Sequence, residues 1–561
     1  MVGSHRSLRH LAVLALPAIA AWLVVSRGEI GMSPDSLFYW SAAHTMRGMG
    51  MVATGVSARD YARTVGDGRL GPEVGVAWPD GSVTYPLTVW PPGYPAAIAV
   101  LMPLTGDSAV AAARLLAALT LVLSIGAFAV AGAELVDRSR AAFAAALVMC
   151  LPFAQSTVRM MWSDALFTAL ALVALALLAR AFAPTARPGA ALVLAAMASA
   201  VATYVRYTGV LVLAAGIVAS ALLALRTPRR RGMLVGAVVA VGLYGLLVAP
   251  LFARNFSLAG DLTGAERSPA DESALRLFAG FVLAFAKGVV PWVGAAVPGP
   301  RDALVTGGVS VGAWAITGAM LATAIRRGGG LAEATSTPAA RRPMALILVV
   351  FAGLYSTVLL GLRMVWHFDF NTRMLLPAVA SAALLVACVW ESRIADAQVW
   401  RVNGIALVMI PLVTVASLAA VDHYIPWRGY NSAEFQDRPV ARWARAALAR
   451  AGPDARLRFL SVGYFIPFLH FATRGAAVGG LPDAPTPGAL LAGSPFTGSV
   501  VVLEPGGRRF QCPAYQGAYE QVLDGAADST VRGEGFTAWW LSAASASRLE
   551  RGAGAFAPSC H

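Results

Sequence analysis

The sequence predicts an all-α polytopic membrane protein of about 11 spans, followed by a small C-terminal α/β or α+β domain. Its 561 residues are 57% hydrophobic and 13% charged, and a mean hydropathy of +0.64 excludes an ordinary soluble protein. Apolar segments of about 20 residues recur up to residue 421. Beyond it, strand-like runs at 458–462 and 499–503 and a helix-like run at 440–451 have a mixed composition. We expect a transmembrane domain at 1–421, including a polar loop at 26–106, and a soluble domain at 422–561.

The net charge of +14 comes almost entirely from arginine, since Lys287 is the only lysine. No compact basic region with interleaved aromatic residues occurs, which argues against nucleic acid and for membrane lipids and phosphate groups as partners. Cys150 and Cys388 lie in apolar segments, as small buried hydrophobic residues do. Cys512 and Cys560 would pair only outside the cytosol, and the sequence leaves that pairing open. No histidine or cysteine cluster has metal-ligand spacing, so we expect no metal and no cofactor.

Eleven apolar segments have the length and composition of membrane spans. The first lies at 8–25, where His5, Arg6, Arg9 and His10 precede an apolar run at 11–25. With so many later spans, we interpret it as a retained helix and not as a cleaved signal peptide. Two further segments, 92–104 and 276–297, are ambiguous, and the count rises to 13 if both cross. The other ten candidate spans lie at 111–133, 141–157, 163–183, 189–205, 207–225, 232–253, 302–325, 343–363, 373–390 and 402–421.

Arginine-rich loops set the expected orientation, because short basic loops stay on the cytoplasmic side. The strongest lie at 226–231, 326–327 and 341–342. With a cytoplasmic N-terminus, all of them face the cytoplasm only if both ambiguous segments lie in the interface or dip partway into the bilayer. We therefore expect a multi-pass protein of the inner (plasma) membrane with an extracytoplasmic C-terminal domain.

This orientation places many polar residues at or near the outer ends of their spans. Polar residues at such ends are often mere interface anchors. Their collection on one face, beside the loop at 26–106, nevertheless favours a site there. The set comprises Asp35, Asp164, Arg206, Arg254, Asn255, Arg363, His367, Asp369 and Arg373.

Asp35 follows the first span and begins a stretch that we interpret as a short amphipathic helix along the membrane surface. A carboxylate held between lipid and water is partly desolvated and suits a general base. Ser33 and Pro34 equally fit a helix N-cap, which would give Asp35 a structural role. The loop then closes with Trp-Pro-Pro-Gly-Tyr-Pro at 90–95, a rigid non-helical entry into the membrane or simply an aromatic belt with a turn.

These elements resemble the GT-C integral-membrane glycosyltransferases, most closely the branch of the protein O-mannosyltransferases and lipid A aminoarabinose transferases. Five short motifs in the family's order carry the resemblance across residues 35–377. They are an Asp-x-x-x-Tyr helix at 35–39 with the turn at 90–95, Trp-Ser-Asp-Ala-Leu-Phe at 162–167, Arg-Tyr-Thr-Gly at 206–209, Arg-Asn at 254–255 and Arg-Met-Leu-Leu-Pro at 373–377.

The resemblance implies inverting transfer of a sugar from a polyprenyl-phosphate carrier to a hydroxyl of a glycan, lipid or protein on the outer face. Asp35 matches the family's catalytic carboxylate and would accept the acceptor's proton, with Asp164 as a second candidate acid. Arginine suits the leaving phosphate, because its planar fork binds phosphate oxygens in pairs. The candidate phosphate ligands are Arg206 and Arg373, followed by Arg254 and Arg363, and the candidate lining residues are Tyr39, Tyr85, Trp90, Tyr94, Asn255, His367 and Asp369.

Two alternatives stay open. A transporter or flippase of a lipid-linked or polar solute would show internal repeats and ionisable residues near the bilayer midplane, and the sequence shows neither pattern. A non-catalytic scaffold would keep the fold without the chemistry, although the motifs and Asp35 count against it. The sequence also departs from the protein O-mannosyltransferases, since Ser36 stands where they carry a second acid. Asp164 fits a structural hydrogen-bonding role equally well.

Overall fold

The chain divides into two compact units, each built from three segments. Unit 1 comprises residues 1–30, 113–251 and 270–427, and unit 2 comprises residues 31–112, 252–269 and 428–561. The predicted domain boundary between residues 421 and 422 lies outside the described residues and stays a prediction. The computed structural model describes residues 18–65 (except 25, 27 and 28), 75–78, 83–135, 145–181 (except 146, 147 and 151), 188–224, 230–289 (except 265–268 and 271), 342–366, 372–391, 436–503 (except 452–456, 464, 483–484 and 492–495) and 513–556 (except 555).

The described helices and strands are numbered in chain order. The helices are α1 Pro34–Met49, α2 Ala58–Val65, α3 Gly93–Leu101, α4 Ala109–Ala133, α5 Pro152–Val158, α6 Asp164–Ala181, α7 Pro188–Val205, α8 Val210–Ala224, α9 Arg230–Ala259, α10 Ala274–Val289, α11 Arg342–Val365, α12 Leu376–Glu391, α13 Pro439–Ala451, α14 Phe465–Ala472, α15 Pro487–Leu490, α16 Pro513–Ala526 and α17 Ala546–Gly554. The strands are β1 Ala53–Thr54, β2 Val76–Ala77, β3 Val83–Pro86, β4 Leu457–Ser461, β5 Ala477–Gly480, β6 Gly498–Leu503, β7 Ser529–Gly533 and β8 Phe536–Ser542.

Four described helices are long and apolar enough to cross a membrane: α4, α6, residues Leu234–Ala259 of α9 and residues Pro343–Val365 of α11. The predicted spans at 189–205, 207–225 and 373–390 form shorter apolar helices. Those at 302–325 and 402–421 lie outside the described residues, so the count of about 11 stays a prediction. The ambiguous segment 92–104 forms α3 and a 3-10 turn, Met102–Thr105. At 1.5 Å per residue, α3 reaches only about 14 Å, well short of the roughly 30 Å hydrocarbon core.

Helix α6 lies at the centre of unit 1 and packs against α7, α8, α11 and α12. In the 18-residue apolar stretch of α6, 78% of the residues are buried, against 22% in the corresponding stretch of α9 and 28% in that of α11. Ala165, Ala169 and Ala176 are at most 3% exposed, and such small residues let neighbouring helices approach closely. The central place of α6 buries Asp164, the residue at its N-terminus.

A sharp link joins α7 to α8. Arg206 is extended, with φ −149° and ψ 135°, and a 3-10 turn, Tyr207–Gly209, follows it. A Cβ atom at Gly209 would lie 2.4 Å from the backbone nitrogen of Thr203. Because that neighbour is backbone and cannot rotate away, only glycine fits here, and the turn holds Arg206 beside the end of α7.

In unit 2, α1 is defined at both ends. The hydroxyl of Ser33 accepts a hydrogen bond from the backbone N–H of Ser36, Pro34 opens the helix, and Gly50 ends it at φ +67°. The expectation of an amphipathic pattern was wrong, because consecutive residues 36–43 are all buried. The reason is that α3, β1 and α14 pack around the helix. Its place along the membrane surface stays a prediction.

The polar loop contains a small antiparallel sheet of strand order β1-β3-β2 that the sequence did not predict. Ala53 pairs with Pro86 and Val76 pairs with Thr84. Two of its strands have only two residues each, too few to show an alternating pattern. The sheet gives the loop an ordered frame between α1 and α3.

Residues 457–542 form a five-stranded sheet of order β5-β4-β6-β8-β7. Strand β4 runs parallel to β5 and β6, whereas β8 runs antiparallel to β6 and β7. Helices α16 and α17 cover one face, where Tyr519, Leu523 and Leu549 pack with Val501 and Trp539 in the core. Helix α14 contacts β4 and β5, and α13 packs against α14.

Candidate functional site

Three of the predicted site residues meet in unit 1. Arg206 Nη1 donates a hydrogen bond of 2.6 Å to Asp164 Oδ1, and Arg373 Nε lies 3.9 Å from Asp164 Oδ2. The side chains of Asp164, Arg373 and Arg206 are 3%, 13% and 20% exposed. Residues far apart in sequence thus form one largely buried ionic cluster, which we call the arginine–aspartate cluster.

Local structure positions each member of this cluster. Asp164 occupies the first turn of α6, where the helix dipole stabilises a carboxylate. Arg206 is held by the turn that Gly209 makes possible, and Arg373 lies in the 3-10 turn Thr372–Leu375 before α12. All three sit at helix ends, where short links direct long side chains to a common point.

Two aromatic residues support Arg373, and neither was predicted as a site residue. The guanidinium carbon lies 4.0 Å from the ring centre of Trp162, a cation–π contact. The hydroxyl of Tyr355 donates a 3.0 Å hydrogen bond to the carbonyl of Met374, and its ring stacks on Phe167 at 6.1 Å. Trp162 stood in a recognised motif, whereas Tyr355 in α11 carries no signal beyond a tyrosine in an apolar helix.

Within the described residues, the cluster joins two arginines to one aspartate. Guanidinium groups suit phosphate in particular, so the cluster has the chemistry of an anion site. Asp164 is engaged with both cations, which fits a residue that orients the arginines. Arg363 instead donates a 3.3 Å hydrogen bond to the carbonyl of Leu277 in α10. His367 and Asp369 lie outside the described residues.

The predicted catalytic residue Asp35 lies in unit 2, half-buried in the first turn of α1. One turn on, Tyr39 packs edge-to-face with Tyr94 at 5.0 Å and Trp90 at 6.4 Å. Phe38 stacks on Trp90 at 4.5 Å. The structure therefore brings the helix of Asp35 and the turn at 90–95 together through their aromatic residues.

The remaining predicted residues of unit 2 tie the loop together. Tyr85 lies in β3, opposite Thr54. Arg254 donates to the carbonyls of Leu87 and Val52 at 2.9 and 2.7 Å. The amide of buried Asn255 donates to the carbonyl of Leu262 at 3.0 Å. Both terminal nitrogens of Arg254 thus bind backbone, which weakens its candidacy as a phosphate ligand. Among the described residues, no three His, Cys, Asp or Glu side chains are grouped to hold a metal ion.

Comparison with known proteins identifies the fold. The family model described as dolichyl-phosphate-mannose-protein mannosyltransferase matches residues 89–253, a segment that holds the turn at 90–95, Asp164 and Arg206. The apo crystal structure of ArnT from Cupriavidus metallidurans superposes with a TM-score of 0.60 at 15% identity, over 98% of this chain and 99% of that one. The chain has the GT-C glycosyltransferase fold. The resemblance expected from the sequence is thereby confirmed.

Two further solved structures share the GT-C fold with this chain. One is ArnT from Cupriavidus metallidurans bound to undecaprenyl phosphate, with a TM-score of 0.56 at 15% identity over 96% of this chain and 98% of that one. The other is the archaeal oligosaccharyltransferase AglB from Archaeoglobus fulgidus in complex with an inhibitory peptide and a dolichol-phosphate, with a TM-score of 0.52 at 12% identity over 90% and 70% of the two chains. No curated protein sequence matches the chain.

Proposed function

We propose that the protein is an inverting glycosyltransferase that moves a sugar from a polyprenyl-phosphate carrier to an acceptor hydroxyl on the extracytoplasmic face of the inner membrane. The observation that carries the proposal is the arginine–aspartate cluster, two largely buried guanidinium groups held beside one carboxylate in a GT-C fold. The solved relatives bound to undecaprenyl phosphate and to a dolichol-phosphate support this donor class. The acceptor is a glycan, a lipid or a protein.

In the proposed reaction, the acceptor oxygen forms a bond to the anomeric carbon while the bond from that carbon to the phosphate oxygen breaks. The acceptor's proton goes to the carboxylate of Asp35 as general base. The leaving polyprenyl phosphate keeps the bonding electrons, and the guanidinium groups of Arg206 and Arg373 stabilise its charge. Asp164 orients those two groups. Attack from the side opposite the phosphate inverts the anomeric carbon.

The aromatic residues Tyr39, Trp90 and Tyr94 are proposed to shape the substrate side of α1, since aromatic faces pack well on sugar rings and lipid chains. Arg363 keeps a secondary place among the proposed phosphate ligands, and Arg254 follows it. His367 and Asp369 stay predicted lining residues.

The test compares membranes that contain wild type or Asp35→Asn at matched levels of folded protein. Radiolabelled sugars on undecaprenyl phosphate serve as donors, and label is followed into glycan, lipid and protein fractions. We expect transfer by wild type and loss of at least about a hundredfold in the variant, since a general base contributes 10²–10⁴-fold. Label that crosses sealed vesicles while still attached to its carrier would favour the flippase alternative. Wild-type activity in Asp35→Asn would exclude Asp35 as the base.

A further inference from the structure

A chain of hydrogen bonds joins α1, the helix that carries Asp35, to α14 near the other end of the sequence. Ser41 Oγ lies 3.1 Å from His470 Nε2, and His470 Nδ1 lies 2.9 Å from the carbonyl oxygen of Ala476. A carbonyl only accepts, so Nδ1 carries the proton and Nε2 of the neutral ring accepts from the Ser41 hydroxyl. Ser41 Oγ in turn accepts from the backbone N–H of Gly55 at 2.8 Å. One chain of hydrogen bonds thus joins four groups: the Gly55 N–H, the Ser41 hydroxyl, the His470 ring and the Ala476 carbonyl.

The contact between these helices is buried and tightly packed. Ser41 is 2% exposed and His470 is 5% exposed. The ring of Trp40 packs edge-to-face on His470 at 5.6 Å and on Phe471 at 5.1 Å. A Cβ atom at Gly55 would lie 2.7 Å from Cε1 of His470. Hydrogen bonds in such an enclosure are strengthened, and breaking one leaves a costly unpaired group.

A second contact links the same two parts of unit 2. Asp60, in the first turn of α2, accepts a 3.0 Å hydrogen bond through Oδ2 from the backbone N–H of Gly480 at the end of β5. The hydroxyl of Ser57 accepts from the backbone N–H of Asp60 at 3.0 Å. The C-terminal sheet region therefore forms hydrogen bonds with the polar loop at two separate residues, Ser41 in α1 and Asp60 in α2.

The hydrogen bond at Ser41 bears on function because Ser41 lies in the same helix as Asp35. Ser41 follows Asp35 by six residues, about 9 Å along the helix axis. Phe38 and Tyr39 fix α1 to the turn at 90–95, so the contact with His470 supplies a further restraint. Two restraints in different directions fix both the rotation and the height of a short helix, as a catalytic carboxylate requires.

We propose that His470 is a positioning residue for Asp35, and that the C-terminal region clamps α1 through the Ser41–His470 pair. This inference rests on the proposed role of Asp35 as general base. His470 does not touch substrate; it acts by holding the helix from which Asp35 acts.

The test measures kcat and KM for sugar transfer from undecaprenyl phosphate by the full-length protein in membranes. Ser41→Ala removes the hydroxyl oxygen. His470→Phe keeps an aromatic ring at this position but removes both ring nitrogens. We expect each to lower kcat by roughly tenfold or more, with KM for the donor within about twofold of wild type. Ser41→Ala is the milder change and keeps the test valid if His470→Phe folds poorly.

Thr473→Val is the matched control. Thr473 is a buried residue directly after α14, and its hydroxyl donates to the carbonyl of Leu469 in that helix. Its replacement therefore perturbs the end of α14 and keeps both partners of the Ser41–His470 hydrogen bond. We expect kcat close to that of wild type. A loss of kcat equal to that of Ser41→Ala would reduce His470 to a purely structural role and overturn the proposal.

A double-variant cycle separates the clamp from the base. In an Asp35→Asn background, Ser41→Ala should add no further loss of kcat, because a misplaced helix matters only through Asp35. Full additivity would overturn the clamp alone, as would wild-type kcat in both single variants while Asp35→Asn is inactive. Wild-type activity in Asp35→Asn, or no transfer by wild type, would overturn both proposals.

Discussion

Asp164 shows how one side chain decides between a catalytic and a structural assignment. The sequence left both open, and the structure gives a carboxylate 3% exposed and bonded at 2.6 Å to Arg206, with Arg373 on its other oxygen. So little of this side chain is exposed that an acceptor hydroxyl has poor access to it. The geometry therefore favours a residue that aligns two cations for a phosphate.

Replacing Asp164 by Asn should destabilise the protein by about 3 kcal/mol, because it removes the negative charge from a buried ion pair with Arg206. KM for the undecaprenyl-phosphate donor should rise in parallel, and thermal unfolding in detergent measures the stability term. Glu134→Gln breaks the more exposed pair between Arg180 and Glu134, 2.7 Å apart, and should cost less than about 1 kcal/mol. Equal shifts in the two unfolding temperatures would contradict the assignment.

His470 makes stability depend on pH. Burial lowers its pKa to about 4, although the hydrogen bond to Ala476 opposes the shift and the nearby His44 adds to it. The unfolded chain, with a pKa near 6.5, therefore takes up a proton first as the pH falls. We expect unchanged stability above pH 6.5 and a progressive loss from there towards pH 4. Thermal unfolding temperatures measured from pH 7 to pH 4 give this dependence, and His470→Phe should show a weaker loss of stability with falling pH. An equal loss in wild type and variant would show that His470 is not its cause.

At the scale of elements, the link between α7 and α8 governs where Arg206 points. Gly209→Ala would place a methyl group 2.4 Å from backbone, so the turn must open and Arg206 must leave Asp164. We expect a loss of at least about 2 kcal/mol and weaker donor binding, measured by unfolding temperature and KM. Gly126→Ala in α4 meets nothing within 4 Å and should stabilise by up to about 1 kcal/mol. A neutral Gly209→Ala would show that the turn has room.

The elements also show which features a sequence can predict. Apolar length predicted α4, α6, α7 and α11 closely, because a helix that faces lipid tails or other apolar helices must be apolar along its length. The two-residue strands of the loop gave no signal, and the tight burial of α1 depended on α14, which follows it by over 400 residues. Local pattern fixes an element, whereas its neighbours decide which of its faces are covered.

At the scale of the whole molecule, unit 2 joins the loop at 31–112 to the C-terminal region from residue 428. Deleting residues 436–561 should therefore expose the loop, since Ser41 and Asp60 lose their partners. We expect faster tryptic cleavage after Arg59, followed by mass spectrometry, with cleavage after Arg180 in unit 1 as internal control. An unchanged rate at Arg59 would show that the loop is stable without the C-terminal region.

The candidate site follows the same division between local and distant information. Asp164, Arg206 and Arg373 belong to the larger set that charge parity assigned to one face of the membrane, and the structure brings these three side chains together. Their roles stay predictions. Other features depend on contacts between distant segments, which one sequence without a fold does not specify. These are the pairing of Asp164 with both arginines, the hydrogen bond of Tyr355 and the hydrogen bond between Ser41 and His470.

The hydrogen bond between Ser41 and His470 spans 429 residues of chain, and this separation bears on biogenesis. At a synthesis rate of about 5–20 residues per second, the ribosome needs roughly 20–90 s to progress from the serine to the histidine. During that interval α1 exists without α14, and Trp40 lacks the two rings on which it packs, His470 and Phe471. The nascent loop is then a natural substrate for chaperones and proteases, and translation of the C-terminal region ends this vulnerable period.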